Sequence, residues 1–195
     1  MVQLDAIQKR LIEEIADLAR PFLSIGNHEW CSASWPEFRR QTAALGARWL
    51  EDSWTDFRGV ALGGLSSRPA GEAVDTSFLA ELSAQPGFRL LLCHHPEWYR
   101  PYVKPYDLDL TLSGHAHGGQ ICLLGLPLYA PNQGLFPRLV HGYYEDGKLL
   151  VSRGMTNSVN LPRVGNPCEL ILLRLEPGEQ VSRWIAPPTR EEAEA

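Results

Sequence analysis

The chain has 195 residues, 44% hydrophobic and 21% charged, with 18 Lys+Arg against 23 Asp+Glu and a formal net charge of −5. That length and apolar content support one folded domain and exclude wholesale disorder, and an acidic chain without a basic stripe gives no footing for nucleic acid. No apolar run approaches the ~20 residues that span a bilayer, the start lacks the basic lead and apolar stretch of a signal peptide, and Cys31, Cys93, Cys122 and Cys168 form no C-x-x-C pair, so a cytoplasmic protein with reduced thiols is expected.

Along the chain, Leu4, Ile7, Leu11, Ile15 and Leu18 recur at three- and four-residue spacing, which predicts an amphipathic helix over 4–19, with Pro21 past its end. A buried strand over 22–25 follows and stops at Gly26, the order found in the second half of a βαβ unit. A helix over 35–45 is expected next, with Ser34 as N-cap and Pro36 in its first turn. Short strands fall within 47–63, a helix over 76–84, and a strand over 88–93 that is too apolar for alternation and so reads as buried on both faces. Another strand spans 108–112. From 119 onward the pattern turns to strands: 119–123, 127–130, 138–144, a Glu145-Asp146-Gly147 turn, 148–153, 168–175 and 180–185. The domain is taken as 1–186, with 187–195 an acidic tail.

Three apolar strands run into polar clusters: Gly26-Asn27-His28-Glu29, His94-His95-Pro96, and Gly114-His115-Ala116-His117-Gly118-Gly119. Five of the six histidines lie there, with His141 apart. Loops at the carboxyl ends of strands in an α/β sheet converge on a ligand crevice, and neutral imidazole is the commonest metal ligand. If the His115-x-His117 segment is extended, both rings point to the same side. One histidine at a strand end is ordinarily a hydrogen-bonded surface residue. Three such clusters together favour a metal site.

GNHE (26–29), LLLCHHPE (90–97) and LSGHAHGGQI (112–121) resemble the last three of the five sequence blocks of the calcineurin-like metallophosphoesterase superfamily, and most closely the bacterial phosphodiesterase branch whose final block reads GHxHGGQ. The likeness extends through RLVHGYYEDGKLLVSRGM (138–155) and LPRVGNPCELILLRL (161–175). It implies an α/β fold, the layered αββα sandwich, without its first strand–helix units. It also implies hydrolysis of phosphoesters at a dinuclear centre of Mn, Fe or Zn ions roughly 3.5–4 Å apart, with a bridging hydroxide. In that pattern Asn27, His94 and His115 would bind the second ion and His117 the first, while His28 would act as general acid or charge stabiliser. His95 and Glu97 carry no ligand role there, Glu29 stands outside the coordination shell, and Gly114, Gly118 and Gly119 are read as turn geometry. Arg163 and Gln120 are the residues expected near the phosphate of a small phosphoester substrate. Leu123–Leu128 and Trp98-Tyr99 read as ordinary core or rim rather than a lipid pocket.

The family's first two blocks, Asp-x-His and then Gly-Asp, have no counterpart. None of Asp5, Asp17, Asp52, Asp56, Asp75, Asp107, Asp109 and Asp146 is followed two residues later by His or preceded by Gly. The expectation is therefore the C-terminal part of a longer phosphoesterase, short by two strand–helix units of about 30 residues each. The alternative is a non-catalytic remnant that binds one ion or serves as an interaction module.

Overall fold

The computed structural model describes residues 10, 12–16, 19–130, 132–155 and 162–176. Its centre is a six-stranded sheet whose strands run, edge to edge, Gly142–Tyr144, Leu149–Val151, Leu110–Ser113, Phe88–Cys93, Val60–Leu65 and Ser53–Phe57. These are β3 (Ser53–Phe57), β4 (Val60–Leu65), β5 (Phe88–Cys93), β6 (Leu110–Ser113), β10 (Gly142–Tyr144) and β11 (Leu149–Val151). The inner pairings β4–β5, β5–β6 and β6–β11 are parallel, and the outer strands are antiparallel. A parallel pair of β1 (Phe22–Ser24) with β2 (Arg48–Leu50) and an antiparallel sheet of β7 (Ile121–Leu123), β8 (Leu126–Ala130) and β9 (Gly134–Leu135) complete a mixed α/β architecture.

Two glycines allow the layers to approach. A Cβ on Gly63 would strike Leu82 of the helix Ser77–Ser83, and one on Gly64 would strike Leu50 of β2. Successive strand residues face opposite sides, so β4 is pressed between that helix and the β1–β2 pair. Leu79, Leu82, Leu91, Leu65, Val103 and Leu149 form the fully buried centre of the core. In β5, Leu91 and Cys93 are buried while Leu90 and Leu92 are only half-buried, so burial on both faces is corrected to burial of one.

Residues 12–16 are helical, and the remainder of the helix expected over 4–19 lies outside the described residues apart from Arg10 and Ala19. Ser34 precedes the helix Trp35–Ala44 as foreseen, yet its hydroxyl makes no capping bond. Of the strand expected over 138–144 only Gly142–Tyr144 forms. The Gln133 carboxamide takes the backbone groups a neighbouring strand would use, accepting from Leu139 N–H at 2.9 Å and donating to the Leu139 carbonyl at 2.8 Å. Residues 168–175 form no strand. Glu169 N–H reaches the Gly154 carbonyl at 3.0 Å, and Leu170 and Leu172 are exposed. The strand at 180–185 and the tail 187–195 lie outside the described residues. Among those described, no helix is long and apolar enough to cross a membrane.

At the amino ends of β5 and β6, Arg89 and Asp109 lock the strands together. The Asp109 carboxylate accepts from Arg89 N–H (2.8 Å), Nε (2.9 Å) and Nη2 (3.0 Å), while Arg89 Nη1 donates to the Ser83 carbonyl (3.1 Å) at the end of the helix. Burial works to raise the Asp109 carboxyl, but the side-chain and backbone hydrogen bonds from Arg89 outweigh it and hold it below its ordinary value. A depressed acid stabilises the fold above its unfolded pKa, near 3.9, and that contribution is lost as pH falls through the folded value. Asp109→Asn is therefore expected to lower urea stability by about 1–2 kcal/mol at neutral pH, with the gap to wild type closing as pH falls below the ordinary carboxylate range; an unchanged urea midpoint at neutral pH would contradict this role.

Candidate metal centre

Three segments meet at the carboxyl ends of β1, β5 and β6. β1 leads through buried Ile25 to the short helix Asn27–Trp30, β5 leads into His94, and β6 leads through Gly114 into His115. Backbone bonds hold the segments in place: Ser67 N–H to the Ile25 carbonyl (3.0 Å) and Gly114 N–H to the His94 carbonyl (3.1 Å). Glu29 Oε2 accepts the Gly26 N–H at 3.0 Å and so caps the short helix, a structural place in keeping with its reading outside the coordination shell. A Cβ on Gly26 would stand 2.8 Å from that oxygen and 3.3 Å from the His94 ring, so glycine is what lets the ring lie against this turn.

The result is a triangle of donors. His94 Nε2 is 2.9 Å from Asn27 Oδ1 and 3.2 Å from His115 Nδ1. Adjacent ligands around an ion with bonds of about 2.1 Å stand roughly 3.0–3.4 Å apart, so both contacts to His94 Nε2 are close to the length that neighbouring ligands of one divalent ion keep. A single proton on His94 Nε2 could satisfy its two neighbours only in part, whereas an ion takes all three lone pairs. Burial first, then the charges of the surrounding histidines, pushes the His94 imidazole down to about 3, and the same causes, burial first, push His115 down to about 4. Both are neutral near pH 7, the form that ligates.

The other nitrogen of His115 faces a second set. Buried His95 places Nδ1 3.2 Å from Glu97 Oε1, and His115 Nε2 lies 3.8 Å from the same oxygen. Donor atoms of His95, Glu97 and His115 lie within 4.8 Å of one another, and His95 Nε2, Glu97 Oε2 and His115 Nε2 are buried without hydrogen-bond partners among the described residues. This set is more open than the Asn27 triangle. Burial tends to raise the Glu97 carboxyl, but hydrogen bonds from His95 and its own N–H hold it below its ordinary value, so it is ionised. Its negative charge, 3.8 Å from His115 Nε2, electrostatically favours a proton on that nitrogen over Nδ1. The sequence reading gave His95 and Glu97 no such place. The available signal was their x-His-x-Glu spacing across Pro96, which the 3₁₀ turn Pro96–Trp98 folds back onto β6.

His117 stands differently. The segment is not extended: His115 and His117 have φ of 63° and 48°, Gly118 and Gly119 have 66° and 82°, and His117–Gly119 form a 3₁₀ turn. The same-side reading of the two rings therefore fails, because period-two alternation needs extended backbone. Gly118 and Gly119 match the turn reading, but a Cβ on Gly114 would meet nothing closer than 3.8 Å. The His117 carbonyl accepts from buried Asn166 Nδ2, Asn166 Oδ1 accepts from Arg153 Nη1 (3.0 Å), and Arg153 Nη2 lies 2.8 Å from His141 Nε2. The histidine that stands apart in sequence is thus wired to the same turn. His28 is exposed, and burial, then the charges of Arg163 and His28, lower the His117 imidazole. Arg163 is itself held by the carbonyls of Arg153 (2.6 Å) and Pro167 (3.3 Å). Gln120 is wholly buried, and its backbone carbonyl receives Val164 N–H at 3.1 Å.

Over 90 residues, 45% of this chain, the sequence is 40% identical to a protein of Campylobacter jejuni named an uncharacterized metallophosphoesterase. The matched region spans 22% of that relative's length. No family model matches the chain, and no solved structure does.

Glu97→Gln keeps the size and removes the charge, and is expected to weaken Zn or Mn binding by roughly tenfold to a hundredfold. Isothermal titration of the two proteins measures this. Equal affinities would show that Glu97 does not orient His115.

Proposed function

We propose that the chain belongs to the calcineurin-like metallophosphoesterase superfamily, in the bacterial phosphodiesterase branch, and carries ligands of a phosphoester hydrolase whose domain is the layered αββα sandwich. The observation that carries this reading is the approach of two donor atoms from separate segments to His94 Nε2, Asn27 Oδ1 at 2.9 Å and His115 Nδ1 at 3.2 Å. The partial identity to a metallophosphoesterase supports it. The donor set, a carboxamide oxygen with two neutral imidazoles, suits Mn, Fe or Zn. In this reading His117 serves the first of two ions and the triangle serves the second.

Ions held there supply positive charge for phosphoryl oxygens and activation of water. The protein's own groups do the rest. His28 is exposed beside the triangle and interacts electrostatically with His94, His115 and His117. A protonated ring at that place donates to the departing oxygen. Arg163, fixed on two carbonyls, sets a permanent positive charge toward His117 and favours a phosphate there. Gln120 is wholly buried, so reaching the phosphate requires the turn that follows His117 to open. The substrate is a small phosphoester, since the sequence carries no basic stripe for a polynucleotide backbone.

A second reading, a module that takes up one ion without turnover, is favoured by the fact that the set around His94 has three donors among the described residues. Hydrolysis of bis(p-nitrophenyl) phosphate in Mn or Zn separates the two. Turnover that falls about a hundredfold or more in His28→Ala supports the hydrolase. Stoichiometric metal uptake with no turnover by wild type supports the module.

A further inference from the structure

The β7–β8–β9 sheet carries an apolar tip that the metal reading does not use. Leu123 pairs with Leu126 across a two-residue turn, Leu124-Gly125, and Tyr129 pairs with Leu135 across the next hairpin. Phe136 N–H donates to the Leu128 carbonyl at 3.0 Å, which brings Phe136 back along β8 toward the first turn. Leu123, Leu126 and Leu135 are exposed, Leu124 is 95% exposed and Phe136 74%. Among the described residues, a Cβ on Gly125 would meet nothing within 4 Å, and the turn beside it is exposed. Leu124 and Phe136 also have φ of 51° and 52°, where bulky side chains are strained and Asn or Gly is usual. Their exposure means that packing within the chain does not offset that strain.

We propose that this tip inserts into the surface of a lipid bilayer bearing anionic headgroups. Charge selects that occupant. Residues 110–144 contain no Asp or Glu in a chain with 23, and they carry Arg138, exposed two residues from Phe136. A convex tip of separate leucines with a phenylalanine, a tyrosine and an arginine behind it suits a fluid apolar layer under anionic headgroups. Pro127 packs against Gly119, since a Cβ on Gly119 would strike it, so the tip is joined to the turn bearing His117.

The test is co-sedimentation of the purified chain with vesicles of phosphatidylcholine alone and of phosphatidylcholine mixed with phosphatidylglycerol. The chain is expected to bind both, and the mixed vesicles more tightly. Leu124→Asn and Phe136→Asn place a residue suited to positive φ at each strained position, so they are expected to keep or raise Tm while each weakens binding by about tenfold. Leu124→Trp, apolar at the same place, retains binding. A chain left in the supernatant with both vesicle types overturns the proposal. So do Asn variants that bind like wild type, loss of binding in Leu124→Trp, or self-association without lipid that the Asn variants abolish. The proposal does not rest on the metal reading: vesicle binding and metal uptake are separate readouts, and either can fail alone.

Discussion

Parallel pairing of β5 with β6, in the register Leu90↔Leu110 to Leu92↔Leu112, holds the site together. That ladder delivers His94 and His115 side by side at the carboxyl edge, where β1 brings in Asn27. Neighbouring strand residues face opposite ways, so a slip of one residue would turn His94 away and bring His95 toward Asn27. The Arg89–Asp109 clasp fixes the same two strands at their far ends. Stability at one edge of the sheet and chemistry at the other therefore depend on one register.

His115 is shared between two polar sets. One nitrogen meets the compact Asn27–His94 triangle, and the other faces the looser His95–Glu97 pair. A neutral imidazole has one lone pair and one proton, so in the proposed reading the two sides differ: a lone pair toward the Asn27–His94 set at Nδ1, and a proton on Nε2, which faces the Glu97 charge across 3.8 Å. Buried polar atoms without partners are destabilising. Three such atoms among the described residues belong to the neighbouring His95, Glu97 and His115, all of them groups able to ligate a metal.

Much of this was legible in the sequence, because strand ends and chemistry coincide there. Apolar runs stopping at Gly26, Cys93 and Ser113 located the three loops, and histidine in each loop foretold that they would meet. Spacing rules failed where backbone left the regular forms. Left-handed His115 and His117 broke the alternation assumed for His-x-His, and the Gln133 side chain replaced a strand partner over 138–141. Residues 168–175 have an apolar pattern but no ladder beside them. Two polar links join residues distant in the chain: His117–Asn166–Arg153–His141 and His115–Glu97. No local pattern encodes them, since each depends on a fold that brings the residues together.

X-ray absorption or anomalous diffraction of the chain with one equivalent of Zn or Mn is the most direct measurement. The ion is expected to bond Asn27 Oδ1, His94 Nε2 and His115 Nδ1 at about 2.0–2.2 Å. An ion seated instead between His95, Glu97 and His115 Nε2, or no ordered ion at all, would contradict the triangle as the metal-binding centre.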